Sequence, residues 1–217
     1  MIDYCPPPDT GLLVVFADKT LIVVDKPAGL LSVPGRGPGK DDCLVSRLQR
    51  DFPDALIVHR LDMATSGLLV LARGVEMHRQ LSGLFQDRLV SKRYVAVVDG
   101  SVAEASGEID LPLICDWPNR PRQMVSFEIG KRSLTRFRVL SRCPTSGSTC
   151  LELEPITGRT HQLRVHMAAI GHPILGDALY GGPAASKAER LLLHAKDLAF
   201  IHPSTAAVLR FHAAAPF

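Results

Sequence analysis

Short runs rich in branched side chains, Leu12 to Phe16 and Leu21 to Asp25, predict two strands joined by a turn around Ala17-Asp18-Lys19. Proline and glycine then recur from Pro27 to Gly39, a spacing that predicts a long irregular loop. Leu44, Leu48 and Phe52 follow Asp41-Asp42 at helical spacing and predict an amphipathic helix with an acidic start, stopped by Pro53. The apolar run Leu68 to Ala72 predicts a buried strand, separated from Ile57-Val58-His59 by the polar stretch His59 to Gly67. Met77, Leu81, Leu84 and Phe85 predict a helix within 75–89, and Tyr94 to Val98 a strand. Residues 135–142 and 149–155 predict a hairpin around Pro144-Thr145-Ser146-Gly147. Leu163, Met167 and Ile170 place an apolar stripe on a helix that Thr160 caps and Gly171 ends. Leu191 to Phe211 reads as further strand, turning at His202-Pro203. Strands outnumber helices and most connections are hairpins, so the class is α+β with a mixed, mainly antiparallel sheet flanked by helices. With no internal repeat and no linker, the expectation is one domain over residues 11–217 behind a flexible lead, residues 1–10, whose Pro6-Pro7-Pro8 run favours an extended chain.

Composition changes this picture little: 217 residues with 46% hydrophobic and 22% charged content are ordinary for a soluble domain able to bury its own core. The five cysteines are odd in number, scattered and without a Cys-x-x-Cys pair, which argues against a disulfide framework or a cysteine zinc site and for a reducing cytoplasm. Apolar runs such as Leu12 to Ala17 fall far short of the roughly 20 residues that a bilayer span needs, so no membrane association is expected. The amino terminus lacks the basic start and apolar stretch of a signal peptide.

Charge is more informative by position than in sum. Segments 26–40, 119–138 and 157–173 carry +3, +5 and +2 in a chain whose net charge is +3, so the remainder is acidic on balance. On one shared face these segments would attract a polyanion.

Chemistry concentrates in two places. The run His59-Arg60-Leu61-Asp62-Met63-Ala64-Thr65-Ser66-Gly67 sets a carboxylate between two apolar strands, where it stays charged only beside a cation or several donors; Arg60 and Arg164 are candidates. Gly67 permits the positive φ or close backbone approach by which a loop aims a side chain. The ordinary reading of this run is a capped, salt-bridged turn. In Pro155 to Met167, His161 and His166 stand five apart, off the i, i+4 face, so a metal site is not expected. A helix start holding Arg159, His161, Gln162 and Arg164 suits phosphate, or is simply a basic helix face. Tyr94 follows Ser91-Lys92-Arg93, where a tyrosine can stack on a base or merely cover the core. Ile114 to Gln123 combines Trp117 with Arg120, Arg122 and two prolines, a rigid loop suited to gripping a nucleic-acid backbone, or else a braced hairpin with a packed tryptophan. His78, His172, His194, His202 and His212 read as ordinary.

Together these motifs are similar to those of the RluA family of RNA pseudouridine synthases over almost the whole chain. The run His59 to Gly67 resembles that family's catalytic signature. Lys26 to Gly35, Lys92 to Tyr94, Gly158 to His166, Gly171 to Asp177 and Leu191 to Ala195 resemble its other motifs in its order. The resemblance implies a pseudouridine synthase fold with a central catalytic cleft, and places Asp62 on the catalytic aspartate, Arg164 on its ion-pair partner and Tyr94 on the residue that stacks on the uracil. It also places Arg60 on the arginine that fills the space left by a flipped base. Leu111 to Pro121 resembles the short members that act on large-subunit rRNA and a tRNA anticodon stem-loop. The core begins near Leu21, leaving no room for an added S4-type domain, so RNA contacts are expected from the domain's own loops, with Arg36, Arg120, Arg122 and Arg159 as candidates. No cofactor or metal is expected, and a monomer is. The competing readings are an RNA-binding module without catalysis and a nucleoside or glycoside hydrolase; the latter normally needs a second opposed carboxylate, which the signature lacks.

Overall fold

The structure, a computed structural model, describes residues 4–217. In chain order its elements are β1 (Leu13–Ala17), β2 (Leu21–Lys26), α1 (Leu44–Leu48), β3 (Ala55–Ile57), β4 (Ser66–Arg73), α2 (Val75–Gln86), β5 (Ser91–Asp99), β6 (Ser106–Asp110), β7 (Leu113–Cys115) and β8 (Gln123–Val125). They continue with β9 (Leu134–Cys143), β10 (Ser148–Pro155), α3 (Gln162–Ala169), β11 (Leu193–Ile201) and β12 (Val208–His212). The chain gathers into two compact units: the first runs to Lys92 and takes back Ala195–Pro216, and the second is Arg93–His194 with Phe217.

In the first unit the strand order is β1-β2-β4-β11, with β3 beside β4 and β12 beside β11. A strand with one wet face alternates apolar and polar residues, whereas Leu21 to Val24 and Leu69 to Ala72 are apolar without a break. Both runs are fully buried, so each strand is covered on two faces. Leu21, Val23, Leu68, Val70, Leu198 and Phe200 form one core with Met77 and Leu81 of α2, the residues whose helical spacing predicts that helix. Gly67 stands in β4 at φ +114°, and a Cβ there would run into the backbone of Ala195. Gly67→Ala is therefore expected to cost roughly 2 to 5 kcal/mol, from backbone strain plus the displacement of β11, in a urea unfolding measurement. A loss below about 0.5 kcal/mol would show that the two strands can part there freely.

One local expectation is corrected here. The helix predicted behind Asp41-Asp42 is only α1, with Cys43 as its N-cap and no acid in its first turn. Ser46 Oγ accepts from Cys43 N at 3.0 Å, and Asp42 instead turns its carboxylate to Arg47, whose Nε and Nη2 lie at 2.7 and 2.8 Å. The described part of the lead makes contacts with the loop and helix that follow. Tyr4 donates its hydroxyl to Asp42 O and accepts from Leu31 N, Pro7 O accepts from Arg47 Nη2, and Asp9 pairs with Arg50. Residues 1–3 of that lead lie outside the described residues.

The second unit has the order β5-β10-β9-β6 and a separate ladder, β7 with β8. The hairpin of β9 and β10 turns at Pro144 to Gly147, as its sequence predicts. Thr160 does not cap α3. His161 holds the N-cap position in the left-handed region, φ 54°, and the Gln162 side chain does the anchoring. Its Oε1 accepts from Thr157 Oγ1 (2.7 Å) and Arg159 N (3.0 Å), while its Nε2 donates to Leu134 O and Thr135 Oγ1, both at 3.0 Å. His166 is buried between Thr135 Oγ1 and Leu111 O, each 3.0 Å away, and burial pushes its pKa down, which makes it a neutral structural residue.

Candidate active site

Asp62 is half-buried in the first unit, on the loop between β3 and β4, and the backbone on either side of it is pinned. Before it, Ser32 Oγ donates to Leu61 O at 2.7 Å and accepts from Leu61 N at 3.2 Å. After it, Met63 O accepts from Gly29 N (2.8 Å) and from the Lys26 ammonium (3.1 Å). Lys26 itself is fully buried, and its Nζ also reaches Leu30 O (2.7 Å) and Pro27 O (2.9 Å). A buried ammonium persists only where carbonyl dipoles replace its water, so this lysine locks the loop of residues 27–30 against the aspartate loop. The Pro- and Gly-rich loop thus serves as a brace for Asp62. Thr65 N closes the turn on Asp62 O at 3.1 Å.

His59 opens the signature. Its ring stacks on Phe85 at 4.3 Å, and its Nε2 accepts from Val70 N at 3.2 Å, a geometry that requires neutral imidazole. Loss of water around the ring, together with the nearby Lys92 ammonium, pushes its pKa down to about 3. Burial likewise lowers the pKa of Lys92, whose Nζ sits 5.7 Å from the Phe85 ring centre. His59 is therefore an anchor, uncharged at neutral pH. Arg60 is exposed, as is Arg36 on the Pro27 to Gly39 loop.

The second unit carries Tyr94, half-buried near the start of β5 opposite Leu153, and Arg164 in α3. Arg164 is 5% exposed and grips Asp177 with two prongs, Nε to Oδ2 at 2.8 Å and Nη2 to Oδ1 at 2.7 Å. Asp177 Oδ1 also accepts from Leu179 N and Tyr180 N. Burial alone would raise the Asp177 pKa, but the Arg164 fork and these two amides outweigh it and hold the carboxyl below its usual range. The Arg164 guanidinium also lies 5.2 Å from the centre of the Tyr180 ring. Asp177 and Tyr180 had no assigned part in the motif reading, where Asp177 only ends the Gly171 to Asp177 segment. A lone carboxylate directly after the apolar pair Ile174-Leu175 and a glycine was the available signal.

Arg120, Arg122 and Arg159, expected as RNA contacts, are all exposed on the second unit. Arg159 lies just before α3, and Arg120 and Arg122 lie between β7 and β8. Among the described residues no group of three or more His, Cys, Asp or Glu side chains could hold a metal ion.

Comparison with known proteins bears on the family. Residues 20–169 match the family described as RNA pseudouridylate synthase, a span that includes Asp62, Tyr94 and Arg164. The chain is 52% identical over 207 residues to the dual-specificity RNA pseudouridine synthase RluA of Yersinia pestis, covering 95% of this chain and 100% of that one. It is 49% identical over 218 residues to the RluA of Escherichia coli strain K12, covering 100% and 99% respectively. Among solved structures, human RNA pseudouridylate synthase domain containing 1 aligns with a TM-score of 0.81 at 29% identity, over 98% of this chain and 86% of that one. Human RNA pseudouridylate synthase domain containing 4 aligns at 0.75 and 28%, over 94% and 88%. A braced aspartate loop, a mainly antiparallel α+β fold and near-half identity along almost the whole length lead to one conclusion: the chain belongs to the RNA pseudouridylate synthase family.

Proposed function

We propose that this chain converts specific uridines to pseudouridine in two kinds of structured RNA, large-subunit rRNA and a tRNA anticodon stem-loop. The observation that carries the proposal is Asp62, on a loop held by backbone hydrogen bonds at Leu61 and Met63, in a chain about half identical to dual-specificity synthases over nearly its full length. The isomerisation breaks the N1–C1′ bond, turns the freed uracil and joins C5 to C1′, and the C5 proton leaves to water, so no oxidant or external energy is needed. In this reading Asp62 begins the reaction, either by attack on C1′ or by removing the C2′ proton. Arg164 serves its charge, and Tyr94 stacks on the uracil. Arg60 occupies the gap left by the flipped base, since a base must leave its stack to be worked on. The exposed Arg36, Arg120, Arg122 and Arg159 hold phosphate. The proposed working form is a cytoplasmic monomer with one catalytic domain and no cofactor.

The test is tritium release from rRNA and tRNA transcripts carrying uridine tritiated at C5. Release from both RNAs is the expected result. Release from one alone would remove the dual specificity, release of free uracil would point to a hydrolase, and tight binding without release would leave an RNA-binding module.

A further inference from the structure

The loop between β7 and β8 holds the sole tryptophan of the chain, and that tryptophan is not packed. Trp117 is 65% exposed, although a buried indole removes 150 Å² or more of surface from water and is the ordinary fate of such a side chain. The Arg120 guanidinium sits over the indole at 4.6 Å from the ring centre, fixed there by its Nε donating to Trp117 O at 3.1 Å. With a guanidinium over the ring and most of the residue still in water, the indole is a half-finished stack.

The loop around it is rigid. Asp116 N donates to Arg122 O, Asn119 N to Asp116 O and Arg122 N to Asn119 O, all within 3.1 Å. Both Asp116 carboxylate oxygens accept from Asn119 Nδ2, so this acid is turned into the loop. At the loop's end, Gln123 N donates to the Tyr180 hydroxyl at 2.8 Å, and the same hydroxyl shares a hydrogen bond of 2.7 Å with His161 Nδ1. Arg122 lies over the same Tyr180 ring at 5.3 Å. An exposed aromatic on a closed, cross-braced loop loses little conformational freedom when something lands on it.

We infer that Trp117, backed by Arg120, is a stacking platform for an unpaired base of the RNA substrate outside the reacting uridine. The inference rests on the proposed RNA substrate and deepens it. An indole offers a π-face that any base can meet, and flanking guanidiniums supply charge for the adjoining phosphates. A paired base keeps its faces within the helix, so the platform selects loops, bulges or ends over continuous duplex.

Because Trp117 is the sole tryptophan, its fluorescence reports the contact directly. A short RNA hairpin with an unpaired loop should quench the emission of the whole protein, while a blunt duplex of equal length should leave it nearly unchanged. Trp117→Ala should weaken binding of labelled hairpin RNA about tenfold, in line with the worth of one base stacked on an aromatic ring, and Trp117→Phe should restore most of it. Circular dichroism and urea unfolding of both variants should match the parent protein, since the side chain is exposed. Hairpin binding with unchanged emission, a Trp117→Ala affinity within twofold of wild type, or equal quenching by duplex would each overturn the platform. Quenching and the affinity loss without tritium release would leave the platform standing while the proposed synthase activity fails. Tritium release without quenching would do the reverse.

Discussion

Asp62→Asn is expected to lower pseudouridine formation by about 10⁴-fold or more while hairpin RNA still binds within twofold of wild type. The loop geometry makes this contrast sharp. Leu61 and Met63 are held through their backbone by Ser32, Gly29 and Lys26, so the loop keeps its shape when the carboxylate becomes an amide. The amide has nearly the same size, yet it can neither attack C1′ nor take a proton from C2′. Single-turnover tritium release, on protein shown by mass spectrometry to carry the amide, gives the rate, and anisotropy of labelled RNA gives the affinity. A rate above about a hundredth of wild type would remove Asp62 from the chemistry.

Arg164→Lys is expected to reduce both stability and turnover, although it keeps the charge. Arg164 fills two sides of the Asp177 carboxylate at 2.8 and 2.7 Å, and lysine presents a single point of charge on a flexible stem. One charge-assisted hydrogen bond lost inside the second unit corresponds to roughly 1.5 to 3 kcal/mol by urea unfolding at neutral pH. The pH dependence identifies the cause. The Asp177 carboxyl is held below its ordinary pKa in the folded protein, so its stabilisation is present above the unfolded value of about 3.9 and fades as pH falls through the folded value. The deficit of Arg164→Lys should therefore shrink in acid, where wild type loses the same pair. Turnover should fall by a larger factor than RNA affinity. Equal stability at neutral pH together with near-normal turnover would remove the fork from both roles.

What could be read from the sequence follows from how each element meets water. β2 and β4 were legible because burial on both faces leaves uninterrupted apolar runs, and α2 because Met77 and Leu81 face a core at helical period. α1 was over-read. The spacing of Leu44, Leu48 and Phe52 persists for one more turn, with Phe52 N still on Leu48 O at 2.9 Å, after the regular helix has ended. β7 and β8 are three residues each, too short to show a period. Asp62 stood out as a carboxylate between two apolar strands. Its brace did not, because Lys26 and Met63 are 37 positions apart and meet only through a backbone carbonyl. The contacts of Gln123 and His161 with Tyr180 span 57 and 19 positions and leave no mark on local pattern.

The first unit is assembled from two separated stretches of chain, and this gives it a timetable. A ribosome adding about 5 to 20 residues per second delivers the Asp62 loop and β4 early, then needs roughly 6 to 26 s more to pass from residue 73 to residue 201. Until then β4 lacks β11 at its side, and the core over α2 lacks Leu198, Phe200 and Ala213. The unit that holds the aspartate is thus begun first and finished last. A nascent chain released before β11 and β12 emerge would hold the signature residues without the scaffold that aims Asp62, so truncated translation products should form no pseudouridine.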